Sequence, residues 1–285
     1  MSDLIDAGLV LEGGGLKGVY TAGVLDFFMD KELWFKNCYG VSMGACNLCS
    51  YISRQRGRAL AVSVDYIDDP NYCGIRPLIT SGDIFNVKMA YEEIPLELNP
   101  FDFEAAAAYP GNAYAVVTNV ETGRPEYLRI NDLKENLISV RASASMPLVS
   151  RTVMINGKGY LDGGISDFIP IRKSVKDNNP KHVVIMTKEV GYVRKPFSMM
   201  AAMRLRYHRY PKLVRDMELR HTRYNKVVRY LEREHAKGNL FLIRPSYKSE
   251  VKRVERDRDK ILALYEQGYD EAKDCYDDLM HYLES

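Results

Sequence analysis

Apolar residues follow two alternating patterns along the chain. Short runs of aliphatic and β-branched residues at 8–12 (GLVLE), 38–41 (CYGV), 113–119 (AYAVVTN), 182–187 (HVVIMT) and 239–244 (NLFLIR) predict buried strands. Between them, apolar residues return with helical spacing. In 16–30 the residues Val19, Ala22, Gly23, Leu25, Phe27, Phe28 and Met29 partly follow one face; 43–55 and 132–145 behave alike, the latter stopping at Met146-Pro147. A strand, a glycine turn and a helix are thus followed by a strand, a tight turn and a helix, the order of a parallel sheet with helices on both faces. A further helix is expected around 84–94, inside a mixed, loop-rich 60–110 segment that could cover a substrate. Beyond Pro245, charged helices are expected at 249–266 and 268–284.

Composition narrows the class. With 285 residues, 46% of them hydrophobic, the chain can bury a sizeable core. Its start, MSDLID, carries acids where a secretory signal carries bases, and no run of about 18 apolar residues follows, so neither secretion nor membrane spanning is expected. Cys38, Cys46, Cys49, Cys73 and Cys275 are odd in number and irregular in spacing, which argues against a disulfide framework and for the cytoplasm. Cys46 and Cys49 form C-x-x-C, yet no second pair or nearby histidine completes a metal site; on a helix they are neighbours on one face.

The net charge of +2 hides an asymmetry. Residues 194–260 hold 20 Lys and Arg against 8 Asp and Glu, leaving the rest of the chain near −10. Such a stretch is either a solvated helical face or a surface for the phosphates of lipid or nucleic acid. Tyr207, Tyr210, Tyr224 and Tyr230 interleave with its arginines, but no nucleic-acid motif accompanies them, and no nucleic-acid partner is expected. Within it, 197–214 (FSMMAAMRLRYHRYPKLV) reads as a buried amphipathic helix, or as a segment resting on an anionic membrane surface or capping an acyl pocket, with Pro211 interrupting any helix.

Two glycine motifs carry the candidate chemistry. LVLEGGGLKGVYTAGVL, 9–25, passes from a strand through Gly13, Gly14, Gly15 and Gly18 into a helix. Such a turn aims backbone N–H groups at an anion, which suits either a dinucleotide or the developing charge of acyl transfer. A dinucleotide site needs an acid ending the second strand about 20 residues on. Glu32 has the count but precedes that strand, which ends in Ser42; nor do Val19 and Tyr20, after Gly18, fit a Walker A loop. GVSMG, 40–44, is G-x-S-x-G between a strand and a helix, the context of a nucleophile elbow. A serine needs a base. His182, His208, His221, His235 and His281 all fall outside glycine-marked loops, whereas YLDGG, 160–164, sets Asp162 before a tight turn. Asp167 reads as a capping or salt-bridging carboxylate. Lys17 orients the loop, attracts an anionic headgroup or faces solvent. Ser145 and Ser166 receive no chemistry.

In order, GGGLKG (13–18), GVSMG (40–44) and DGG (162–164), with RASASMP before the last, resemble the patatin-like phospholipase family over about residues 8–190. The tail is similar to the C-terminal extension of its bacterial cytoplasmic members. The resemblance implies an α/β fold, a three-layer α/β/α sandwich with a mostly parallel central sheet, over 1–245, and a helical extension over 246–285. It implies hydrolysis of lipid acyl esters by a Ser-Asp dyad without histidine: Ser42 as nucleophile, Asp162 as general base, and the Gly13, Gly14 and Gly15 backbone as oxyanion hole. Lys17, Gly18, Gly40, Gly44, Gly163 and Gly164 support the motifs. The substrate would be a lipid or acyl ester; no clustered ligands call for a cofactor or metal, and the expected location is the cytoplasm, with the basic stretch allowing peripheral contact with an anionic inner membrane face. An aspartate near its ordinary pKa of about 4 is a weak base for serine, so the carboxylate must be desolvated or proton transfer must be concerted with attack. The rival is a histidine-dependent α/β-hydrolase esterase using His281 or His235.

Overall fold

The computed structural model describes residues 4–252 and 254–285. The first strand, β1 (Ile5–Leu11), passes through a 3-10 turn at Gly15–Gly18 into α1 (Val19–Asp30); β2 (Phe35–Val41) then leads directly into α2 (Met43–Ile52). Three short helices, α3 (Arg58–Asp65), α4 (Ile75–Ser81) and α5 (Phe103–Ala107), and a wide helical segment at Met89–Leu98 precede β3 (Asn112–Asn119), β4 (Pro125–Arg129) and α6 (Leu133–Ala144). The hairpin β5 (Val153–Ile155) and β6 (Lys158–Asp162), then α7 (Ile171–Lys176) and β7 (His182–Ile185), follow. The chain ends with α8 (Met200–Arg206), α9 (Pro211–Ala236), β8 (Phe241–Ile243), α10 (Arg258–Asp274) and α11 (Tyr276–Glu284).

Neighbours in the sheet run β5-β6-β3-β2-β1-β7-β8, with β4 also on β3. The strands β1, β2, β3, β7 and β8 are mutually parallel, and β4, β5 and β6 are antiparallel additions. Strand alternation sorts the core into two layers. Leu9, Leu11, Cys38, Val183 and Ile185 pack with residues of α1, α2, α10 and α11; Val10, Tyr39 and Val184 pack with Ile171 of α7 and with Tyr224, Val228 and Leu231 of α9. This is the expected α/β/α sandwich. No helix among the described residues is long and apolar enough to cross a membrane.

Two predicted helices begin later than their apolar spacing suggests, because side chains near their starts engage the backbone otherwise. In the 84–94 segment, Ile84 exchanges backbone bonds with Gly74 and Val149, and the helix starts only after Asn86 accepts the Met89 N–H at 3.3 Å. At 249–266, which includes residue 253 outside the described residues, the Glu255 carboxylate takes the N–H groups of Lys252, Arg256 and Asp257, and Asp257 then caps α10. Pro211 does break the 197–214 segment, as the first residue of α9.

The terminal helices belong to the same core. Ile261, Leu264, Ala272 and Leu279 join the cluster built on β1 and α1. α10 lies against α1 so closely that a Cβ on Gly268 would overlap the Tyr20 carbonyl, and one on Gly23 would overlap the Tyr265 carbonyl. Tyrosine hydroxyls donate across this seam to carboxylates in both directions: Tyr20 to Glu271 at 2.6 Å, Tyr265 to Asp26 at 2.7 Å, and Tyr269 to Asp30 at 2.8 Å. Replacing glycine by alanine inside a helix ordinarily gains about 1 kcal/mol of propensity. Here the added methyl meets backbone that can yield only by separating the helices, an overpacking cost of about 1–3 kcal/mol. Gly268→Ala is therefore expected to lower the stability read by urea denaturation, against its propensity.

Candidate active site

Ser42 occupies the one-residue turn between β2 and α2, with φ 55° and ψ −122°, a conformation that costs a non-glycine residue about 1–3 kcal/mol. Two neighbours make it possible. A Cβ on Gly40 would lie 2.7 Å from the Ala45 backbone, and one on Gly44 would lie 2.9 Å from the Leu11 carbonyl, so glycines alone let strand and helix meet at this angle. The Ser42 N–H donates to Ser143 Oγ at 2.9 Å, and that hydroxyl donates to the Val116 carbonyl at 2.6 Å.

Asp162 arrives from the opposite direction. β2 runs parallel to β3 and ends with Val41 opposite Val116; β6 runs antiparallel and ends with Asp162 opposite Val117. Because β4 also pairs with both Val116 and Val117, it must hold the other edge, which leaves β2 and β6 head to head on one edge of β3. The last residue of each strand therefore points its successor toward the same gap. The Asp162 N–H donates to the Ser145 carbonyl at 2.8 Å, its carbonyl accepts from Thr118 Oγ1 at 2.8 Å, and its Oδ1 accepts from the Gly164 N–H at 2.7 Å. At Gly163 a side chain would overlap the Val116 carbonyl, and at Gly164 it would sit 2.9 Å from Asp162 Oδ1 and 3.2 Å from Arg220 Nη2.

The glycine loop closes the third side. A Cβ on Gly13 would lie 2.9 Å from Ser42 Cβ, and Gly15 has φ 59°. Among the described residues, no hydrogen bond uses the N–H of Gly13 or Gly14. The loop is anchored from beneath by Glu12, which is fully buried: it accepts from the Thr187 N–H and the Tyr224 hydroxyl, both at 2.7 Å, with Arg194 Nη2 at 3.9 Å. Gly18 packs against Met43 and gives its carbonyl to Asn47 at 2.6 Å. Lys17 turns away from the cavity walls, its Nζ donating to the Ser249 carbonyl at 3.4 Å.

Two cavities meet at Ser42. One, of about 140 Å³, is apolar and lined by Met43, Cys46, Val62, Tyr91, Ile94 and Leu137 among others. The other, of about 600 Å³, carries Gly13, Gly14, Gly15 and Asp162 beside Lys188, Arg194, Lys195 and Arg220. His221 also lies on that wall, with a buried Nδ1 lacking a hydrogen-bond partner. By sequence it is set aside with the other histidines as outside the glycine-marked loops, although Arg220 and His221 interrupt the apolar stripe of Leu213, Met217, Tyr224, Val228 and Leu231 on α9. His235 bonds the Leu240 carbonyl instead, and neither it nor His281 lines either cavity. Ser143 and Ser145, inside RASASMP, hold the backbones of Ser42 and Asp162 respectively; the sequence assigned them no part. Cys46 is half-buried, and desolvation of its thiol pushes it up to about 12. Among the described residues, no group of His, Cys, Asp or Glu converges as metal ligands would.

A parallel sheet between helical layers, with this serine turn at its carboxyl edge, defines an α/β/α protein, and comparison narrows the class. The chain belongs to the patatin-like phospholipase family, whose model matches residues 9–174, from β1 past Ser42 and Asp162. A domain of unknown function, DUF6363, matches residues 210–284, from α9 to α11. The uncharacterized protein YjjU of Escherichia coli K12 is 32% identical over 185 residues, covering 63% of this chain and 51% of that protein. The probable lipid hydrolase 463L of invertebrate iridescent virus 6 is 26% identical over 192 residues, covering 61% and 65%. The chain thus spans between half and two thirds of the length of the curated relatives it matches. The structure of VipD from Legionella pneumophila superposes with a TM-score of 0.47 at 14% identity, covering 98% of this chain and 66% of that one.

Removing the Ser143 hydroxyl should strand the buried Ser42 N–H. Ser143→Ala is expected to cost about 1–3 kcal/mol in urea denaturation. Asp167 supplies a pH test. Burial pushes its carboxyl up to about 6, opposed by the Tyr127 hydroxyl that donates to it at 2.7 Å and by Arg172. A fold that favours the protonated acid loses stability as pH rises from about 4 through about 6, by roughly 2–3 kcal/mol. In paired thermal melts, Asp167→Asn should therefore gain on the wild type across that window.

Proposed function

We propose that this protein is a serine acyl hydrolase, lipase- or phospholipase A-like, that cleaves carboxylic ester bonds of lipids. The observation that carries the reading is the head-to-head approach of β2 and β6, which brings Ser42 and Asp162 to the wall of one cavity beneath the glycine loop. Membership of the patatin-like family and similarity to a probable lipid hydrolase support it. Asp162 removes the Ser42 proton as Oγ bonds to the ester carbonyl carbon. The N–H groups of Gly13, Gly14 and Gly15 hold the resulting oxyanion, each such donor contributing about 3 kcal/mol to transition-state stabilisation. Collapse breaks the ester C–O bond, the alkoxide leaves with the proton held by Asp162, and an acyl-Ser42 remains. Water, deprotonated by the same carboxylate, bonds to the acyl carbon, the bond from that carbon to Ser42 Oγ breaks, Oγ takes the proton back from Asp162, and the fatty acid leaves.

The apolar cavity receives the acyl chain and the larger, cation-lined cavity the rest of the lipid. Chemistry resides in residues 1–245, while 246–285 brace α1 from outside. The basic surface of 194–260 brings the enzyme to the anionic inner face of the membrane in the cytoplasm. His221 sustains a second reading, a histidine-assisted esterase, because its unpaired Nδ1 shares the cavity wall with Ser42.

Hydrolysis of p-nitrophenyl esters of graded chain length, with chelator present, tests both. Wild type should be active, and Ser42→Ala and Asp162→Asn should each lose at least about 100-fold in kcat while still folded. Equal activity in all three would place the chemistry elsewhere. Collapse in His221→Gln with survival in Asp162→Asn would transfer the base to histidine.

A further inference from the structure

The apolar cavity beginning at Ser42 contains a charge that a fatty acyl tail does not need. Among its described lining residues there is no Asp, Glu or Lys, yet Arg58, the first residue of α3, lies on its wall. The side chain is only 6% exposed. Its Nη2 donates to the Asn99 carbonyl at 2.5 Å and its Cζ lies 3.4 Å from the centre of the Phe101 ring, while Nε has no hydrogen-bond partner. Burial pushes the guanidinium down to about 10, which leaves it charged at neutral pH. A buried cation whose partners among the described residues are a carbonyl and a ring is an incomplete arrangement, because desolvation is repaid by an anion rather than by dipoles alone.

Its position along the cavity gives the charge a meaning. One side of the cavity is a stripe of α2: Met43, Cys46, Asn47, Cys49 and Ser50, whose two turns rise about 10 Å from the reacting serine. Arg58 follows the C-terminal end of α2, its N–H donating to the Gln55 carbonyl at 3.2 Å and the Gln55 N–H to the Ser50 carbonyl at 2.9 Å, which sets its backbone at the end remote from Ser42. A chain esterified at Ser42 and running along this stripe would present its terminus to the guanidinium.

We propose that the acyl pocket selects a medium-length chain ending in a carboxylate, which pairs with Arg58. The proposal rests on the hydrolase reading above, and names the substrate class of that site. A methyl-ended chain would press hydrocarbon against a desolvated cation, whereas a terminal carboxylate supplies the charge-assisted bonds that Nε lacks.

The test compares the p-nitrophenyl monoester of suberic acid with p-nitrophenyl octanoate, alongside calorimetric binding of suberate and octanoate to Ser42→Ala. Wild type should favour the suberyl ester by about tenfold or more in kcat/KM, chiefly through KM. Arg58→Met should bring the ratio to one or below, and Arg58→Lys should keep part of it. No preference in wild type, or one that survives Arg58→Met, overturns the proposal. Should Arg58→Met not fold, the wild-type ratio and the binding of suberate over octanoate decide alone. Suberate binding that needs Arg58, in a protein that turns over neither ester, would sink the hydrolase reading and keep the pocket. Absence of both turnover and binding overturns the pocket as well.

Discussion

Everything at the candidate site depends on one edge of one strand. β3 offers Val116 to β2 and Val117 to β6, and the two strands cannot overlap, so each must stop where the other does. Stopping abruptly inside a close-packed sheet requires the chain to leave at once, and only turns without side chains fit. That is why glycines flank Ser42 on one side of the junction and follow Asp162 on the other. Both turns leave their backbone N–H groups in need of acceptors, and these come from a single segment: Ser143 Oγ and the Ser145 carbonyl hold the two strand ends in register with each other. Position is thus imposed by the ladder of β3 on both candidate side chains.

The second constraint is a buried carboxylate. Glu12 stands under the glycine loop, without exposure, and its stability there requires partners on every side. They come from remote parts of the chain: Thr187 after β7, Tyr224 from the middle of α9, and Arg194 from the segment between. This ties the family's shared region to the basic helix and sets the loop's height over Ser42. It also explains why Arg194, within the basic 194–260 stretch, is buried. Arg194, Lys195 and Arg220 line the larger cavity, while residues such as Arg215 and Arg229 remain on the outside of α9.

The elements read most easily were those whose burial is one-sided or complete along a continuous run. The five parallel strands and the helices α1, α2 and α6 declare themselves in this way. The antiparallel strands did not: β4, β5 and β6 are short, and only their pairing makes them strands. The hairpin had left a trace, since Asn156 and Gly157, both with positive φ, form the two-residue turn that such a dipeptide favours. The late starts of α10 and of the Met89–Leu98 helix arose because Glu255 and Asn86 compete for backbone N–H groups, a local effect that apolar spacing does not register.

The sequence by itself indicated the class of fold, the family and the candidate serine, aspartate and glycine positions, because Ser42 and Gly15 take positive φ and the other motif glycines stand where a side chain would meet neighbouring atoms. Only the tertiary structure decided what surrounds them. His221 at the cavity wall and Arg58 along the apolar pocket carry no motif, and Ser143, Ser145 and Glu12, though inside quoted motifs, show no role there by spacing alone. Each is ordinary in its own segment, and acquires its meaning from partners up to 212 residues away, as between Glu12 and Tyr224. Local spacing records how a chain turns, whereas a cavity is a property of segments that meet only when the sheet has closed.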